Sequence, residues 1–180
     1  IRKVGRPVFA KLEQCSTKQD FTPREIFNAD DLINQFNRSG RCIQQLTLPY
    51  KKEHYILITR YNENIKPENE FRVFIDNKKI SGISQQHLYD VYEYIVCYLS
   101  SYADSILEAV QTLWDSISSK IEYRTCVLDV YIEKIEKEDR FVCKLIEING
   151  CGRWCASGSS LYEWASADPL NNDLELRISV

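Results

Sequence analysis

The sequence predicts a mixed α+β fold, and three observations carry that prediction. Short runs alternate apolar and polar residues, the mark of strands with one buried face. One stretch, from about Gln86 to Lys120, changes to apolar spacings of three and four, the mark of amphipathic helix. The 180 residues are 44% hydrophobic and 27% charged, enough to close a core; this composition excludes a disordered polar chain and a disulfide-stapled miniprotein.

The elements follow in order. Arg6 to Glu13 has strand alternation, and the polar run Cys15 to Thr22 reads as a loop. Asn28 or Asp30 caps a helix through about Phe36, because a short side-chain acceptor satisfies the first free backbone N–H groups, and Arg38, Ser39 and Gly40 end it. Two strands are expected at Cys42 to Leu48 and Tyr55 to Tyr61, on either side of Pro49 and a charged KKE. Phe71 to Ile75 and Lys79 to Ile83 flank Asp76, Asn77 and Lys78, a hairpin whose turn residues tolerate positive φ. The helical stretch divides into two helices near Ser100 and Ser101, and its Tyr and Trp stripe is expected in the core rather than as a stacking surface. Thr125 to Glu133 and Phe141 to Asn149 are strong strands around the charged turn KIEKED. A Gly-rich segment, GCGRWCASGSS, and a short helix from about Leu161 complete the chain. It matches neither the dinucleotide fingerprint nor the P-loop.

A net charge of -3 gives no electrostatic footprint for general nucleic-acid binding. The most apolar stretch, Tyr92 to Leu99, contains Glu93 and is too short for a membrane span. The chain has no methionine and opens at Ile1, which points to a trimmed product or a fragment. Its seven cysteines are scattered rather than spaced as a framework, so reduced thiols in a cytoplasmic setting are expected. Cys151 and Cys155 form the only close pair in sequence, without the paired ligand spacing of structural zinc. His54 and His87 offer no nucleophile partner by position.

The chemistry concentrates in the hairpin of Thr125 to Glu133 and Phe141 to Asn149. Alternation places Asp129 on one face with Val127 and Tyr131, and Glu147 with Asn149, Leu145, Cys143 and Phe141. A turn centred on Lys137 pairs Asp129 with Leu145 and sets Glu147 diagonal to it, about 7 to 8 Å away. Two carboxylates in an apolar neighbourhood repel unless a base pairs them or a cation joins them. Two carboxylates and an amide oxygen suit Mg²⁺, a hard ion that prefers oxygen ligands. The alternative is a structural salt bridge to Lys11, Lys144 or Arg72, or an exposed strand face.

In order and spacing, VFAKLEQCSTKQD, EFRVFIDNKKISGISQQH, CVLDVYIEK and LIEINGCG followed by SLYEW resemble the cell division cycle protein 123 family. The resemblance implies an ATP-grasp fold, with residues 1-61 as its N-terminal part and 62-180 as its C-terminal part. It implies ATP and Mg²⁺ as ligands. Lys11 corresponds to the strand lysine that contacts phosphate, and Ser16 to Asp20 to the family's S-P-K-D turn, with Thr17 in place of proline. Ile58, Thr59, Arg60 and Tyr61 correspond to the hinge against adenine. Glu70 and Arg72 belong to the nucleotide site, Arg72 facing the phosphates. Asp129, Glu147 and Asn149 match the magnesium ligands, with glutamate for the second aspartate and Gly150 for proline. Only Ser159 to Trp164 remains of the motif T-D-S-L-L-F-x-W. The implied function is an ATP-dependent assembly factor for translation initiation factor 2, bound through its gamma subunit. The alternative from the wider fold is a ligase that activates a carboxylate as an acylphosphate for an amine or thiol.

Overall fold

A computed structural model describes residues 5–17, 25–49, 53–87, 89–151 and 174–180. The chain divides into two compact units, Ile1–Glu63 and Asn64–Val180.

In the first unit, β1 (Val8–Leu12) pairs antiparallel with β2 (Ile56–Arg60). Val8, Ala10 and Leu12 alternate into a small core with Ile26, Phe36 and Cys42, which leaves Phe9 and Lys11 on the other face. Helix α1 (Ala29–Arg38) starts as expected at Asn28, whose Oδ1 accepts from the Asp31 N–H at 2.9 Å. Asp31 reaches back to accept from the Phe27 N–H at 2.9 Å.

The strand expected over Cys42 to Leu48 is instead helix α2 (Gly40–Leu46). Ser39 is the reason: its N–H closes α1 on the Phe36 carbonyl, and its Oγ accepts from the Cys42 N–H at 3.4 Å, opening α2. Gln44, Gln45 and Leu46 then have good helix propensity, and Ile43 is the only β-branched residue in the helix.

The second unit is built on one sheet, in the order β6-β5-β3-β4-β7. Its strands are β3 (Glu70–Asp76), β4 (Lys79–Gln85), β5 (Cys126–Ile135), β6 (Arg140–Asn149) and β7 (Glu175–Arg177). All neighbours are antiparallel except β4 and β7, which run parallel. The β3–β4 turn has φ of 48° at Asn77 and 67° at Lys78, as the turn residues predict.

One sheet face carries Phe71, Val73, Ile75, Ile83, Leu128, Val130 and Ile132 against helix α3 (Glu93–Ile117), which contributes Ile95, Ile106, Val110 and Trp114. Trp114 is buried, and Tyr92 and Tyr102 pack against the same cluster, so the aromatic stripe is core. The helix breaks at Tyr102 (φ -129°, ψ 15°), one residue past the expected Ser100–Ser101 break. It begins at Glu93 rather than near Gln86, because the Gln85 side-chain amide donates to the His87 and Asp90 carbonyls and holds the strand exit in a turn. The far end of α3 is tied to the β3–β4 turn: Trp114 Nε1 donates to the Lys78 carbonyl at 3.0 Å, and Lys78 Nζ donates to the carbonyls of Ser118 and Ile121.

Among the described residues, no helix is long and apolar enough to cross a membrane. Among the described residues, Cys15, Cys42, Cys97, Cys126, Cys143 and Cys151 are not joined by disulfides. Two that lie far apart in sequence meet in the first unit, with Cys15 Sγ 3.9 Å from Cys42 Sγ. The Gly-rich segment beyond Cys151, the helix expected from Leu161, the Ser159 to Trp164 motif and the end of the Ser16 to Asp20 turn lie outside the described residues.

Candidate functional site

The sheet face opposite α3 holds the candidate site. Partner residues on adjacent strands share a face. The register therefore aligns Glu147 on β6, Asp129 on β5, Arg72 on β3, Ser84 on β4 and Arg177 on β7 in one row across the sheet. Alternation puts Arg72 on the face of Phe74, away from Phe71 and Val73, which lie in the helix-side core.

Arg72 Nε donates to Asp129 Oδ1 at 2.9 Å, and both side chains are largely buried, 7% and 12% exposed. Asn149 Nδ2 donates to Asp129 Oδ2 at 3.1 Å. Both Asp129 oxygens are thus engaged, one by a cation and one by an amide. Arg72 is the base among the three that the salt-bridge alternative named. Lys144 pairs instead with Glu133 at 2.6 Å, an interaction that raises its pKa.

The register differs from the one the sequence predicts. Asp129 pairs directly with Glu147, and the next β5 residue, Val130, pairs with Leu145. Ile146 is therefore an extra residue in β6, a bulge that shifts the alternation by one position. Before the bulge, Cys143 and Phe141 face the helix-side core; after it, Glu147 and Asn149 join Asp129 on the other face. Leu145, opposite the core residue Val130, stays on the helix side with Cys143 and Phe141 and so parts from Glu147 and Asn149, whose face uninterrupted alternation would have it share. The bulge brings the two carboxylates onto cross-strand positions, closer than the diagonal placement expected.

Asp129, Glu147 and Asn149 supply two carboxylates and an amide on one face, an oxygen donor set whose chemistry fits Mg²⁺. Asn149 turns its amide nitrogen toward Asp129, so its oxygen reaches a shared ion only if the amide turns over. Among the described residues there is no group of three or more His, Cys, Asp or Glu arranged to hold a metal.

The other predicted residues divide between the units. Lys11 stands on β1 opposite Leu57, half-buried on the face away from the small core. Ile58 pairs with Ala10 and packs on that core, while Thr59 and Arg60 are exposed at positions opposite Phe9 and Val8. Tyr61 follows the strand, its N–H donating to the Pro7 carbonyl at 3.1 Å. Glu70 is in the second unit, buried at the start of β3 opposite Tyr131, with its carboxylate 4.0 Å from His87 Nε2.

Ser84 and Arg177 were not among the predicted site residues. Ser84 is fully buried, and its Oγ has no hydrogen-bond partner among the described residues. The signal for Ser84 is its place in the segment EFRVFIDNKKISGISQQH. Arg177 had none, since its position in the row comes from the parallel pairing of β7 with β4.

The D123 family model matches residues 25–178 of this chain. A translation initiation factor eIF2 assembly protein of Candida albicans is 30% identical over 154 residues, which cover 83% of this chain and 41% of the relative. One of Dictyostelium discoideum is 26% identical over 151 residues, covering 76% and 38%. The chain thus spans about two fifths of the length of the curated relatives it matches. The structure of Cdc123 from Schizosaccharomyces pombe matches with a TM-score of 0.75 at 20% identity, covering 100% of this chain and 74% of that one. That likeness shows an ATP-grasp-like α+β fold. With its family model matched over most of its length, the chain belongs to the D123 family.

Proposed function

We propose that this chain is the nucleotide-binding part of an assembly factor for translation initiation factor 2, binding ATP with Mg²⁺ and acting on that factor, through its gamma subunit, in the cytoplasm. The observation that carries the reading is the row on one sheet face, in which two facing carboxylates and an amide adjoin a buried arginine. Such a row supplies oxygen ligands for a hard cation beside a planar donor fork for phosphate oxygens, the two needs of a magnesium nucleotide. The names of the curated relatives favour assembly over the acylphosphate ligase.

Asp129, Glu147 and Asn149 would hold the ion, which supplies charge neutralisation at the phosphates. Arg72 would add its own positive charge to them. Asp129 has a double task in this arrangement, because the carboxylate offered to the ion also orients Arg72. Lys11, with Ile58, Thr59, Arg60 and Tyr61 as the adenine hinge, completes the proposed set from the first unit, and Glu70 completes it from the second.

The test is thermal unfolding of the chain with millimolar ATP, with and without Mg²⁺, together with capture of the isolated gamma subunit. A ligand that binds the folded state raises the transition by mass action. A magnesium-dependent rise, and gamma capture strengthened by ATP, are expected. A folded chain whose transition ignores ATP and Mg²⁺ would overturn the nucleotide reading.

A further inference from the structure

The row across the sheet is polarised. Its acidic end is Glu147 and Asp129, its centre is Arg72, and beyond Arg72 come a hydroxyl, Ser84, and a second guanidinium, Arg177. Adjacent strands lie about 4.8 Å apart, so the two arginine positions are separated by roughly 10 Å with Ser84 between them. We infer that Ser84 and Arg177 form an oxyanion position that takes the outermost phosphate of a phosphorylated ligand. The inference rests on the ATP reading above and adds the residues that distinguish a triphosphate from a monophosphate.

Two observations support it independently. Ser84 is 0% exposed, yet its Oγ has no hydrogen-bond partner among the described residues. A buried hydroxyl left in that state is costly, and retaining one beside an arginine makes sense where an incoming acceptor uses the donor. The guanidinium of Arg177 is also held in a fixed plane: Nε and Nη2 donate to the two oxygens of Glu175 at 2.7 and 2.8 Å. Glu175 is two residues earlier on the same strand face, opposite Gly82, so it braces Arg177 from the side. A braced arginine loses less side-chain freedom when an anion arrives. Arg72 is oriented in the same way by Asp129. Both guanidinium groups of the row are thus set by carboxylates before any ligand binds.

The experiment compares the unsubstituted chain with Ser84→Ala, Arg177→Gln and Glu175→Gln, each titrated with ATP, AMP and inorganic pyrophosphate in Mg²⁺. Ser84→Ala and Arg177→Gln should each weaken ATP about tenfold, the effect of losing one hydrogen bond to a charged group, and leave AMP within about twofold. Glu175→Gln keeps the guanidinium but loosens it and should weaken ATP less than Arg177→Gln does. Without ligand, Ser84→Ala should unfold at the same temperature as the parent or higher, since it removes an unpartnered hydroxyl. Equal losses for ATP and AMP, no loss for either, or a lower melting temperature of ligand-free Ser84→Ala would each overturn the inference. A parent chain that binds no nucleotide would overturn the ATP reading alone. Pyrophosphate then decides the oxyanion position, which stands if Arg177→Gln weakens pyrophosphate about tenfold and falls if the parent ignores it or the variant binds it equally.

Discussion

At the residue scale, the proposed ion-ligand role of Asp129 and its observed pairing with Arg72 have energetic consequences that differ in sign. A pair of repelling carboxylates predicts that neutralising either stabilises the ligand-free protein, but Asp129 is already paired with the buried Arg72 at 2.9 Å. Removing one member of a buried pair typically costs about 3 to 5 kcal/mol, because the other charge stays out of water. Asp129→Asn should therefore lower ligand-free stability by about 3 kcal/mol in denaturant titration. A stabilised Asp129→Asn would mean that the pair contributes nothing in solution. A second residue-scale prediction concerns Cys143, whose thiol is pushed by burial from its ordinary value of 9.0 up to about 12. The raised value favours the protonated folded state, so its stabilising contribution is complete below pH 9 and is lost as pH rises from there toward 12. Unfolding free energy should fall by about 1.4 kcal/mol for each pH unit across that window from this group alone. Cys143→Ala should show a correspondingly shallower decline between pH 8 and 10.5.

At the element scale, the legible parts were those decided locally. The β3–β4 hairpin could be read from Asp76-Asn77-Lys78 because its positive φ angles demand such residues, and the main helix from its spacing because Ile95, Ile106, Val110 and Trp114 do enter one core. Asn28 was legible as a cap because capping is a contact between neighbours in sequence. Other features depend on contacts that sequence alternation does not encode. The bulge at Ile146 has no glycine to announce it, and the Arg72–Asp129 pair joins residues 57 apart through a register set by the whole sheet. Helix α2 depends on Ser39, which closes one helix and opens the next. Ser39→Ala should consequently cost about 1 kcal/mol, a typical N-cap loss, and Ser39→Gly only a few tenths. Hydrogen exchange at the α2 amides is the measurement. Unchanged protection in the alanine variant would leave the tertiary packing of Cys42, rather than the cap, as the cause of the helix.

At the scale of the whole molecule, the proposed nucleotide set is distributed over both compact units: Lys11 and Ile58 to Tyr61 belong to the first, and Glu70, Arg72, Asp129, Glu147 and Asn149 to the second. Each unit has its own core. Lys11 enters the set by its match to the family's strand lysine, so a substitution there tests that assignment through its effect on how ATP protects the second unit. The backbone amides of β3 and β5 are the reporters, since these strands carry Arg72 and Asp129 at the middle of the sheet. ATP with Mg²⁺ should slow their exchange by the binding free energy, about 2.7 kcal/mol at a hundredfold excess over Kd. Lys11→Ala removes one cation from the proposed phosphate contacts without touching the second unit's core, so about tenfold more ATP should be needed for the same protection, the usual effect of losing one charged hydrogen bond. Protection of β3 and β5 at the parent's ATP concentration would confine the nucleotide to the second unit. It would leave the Lys11 strand to another partner.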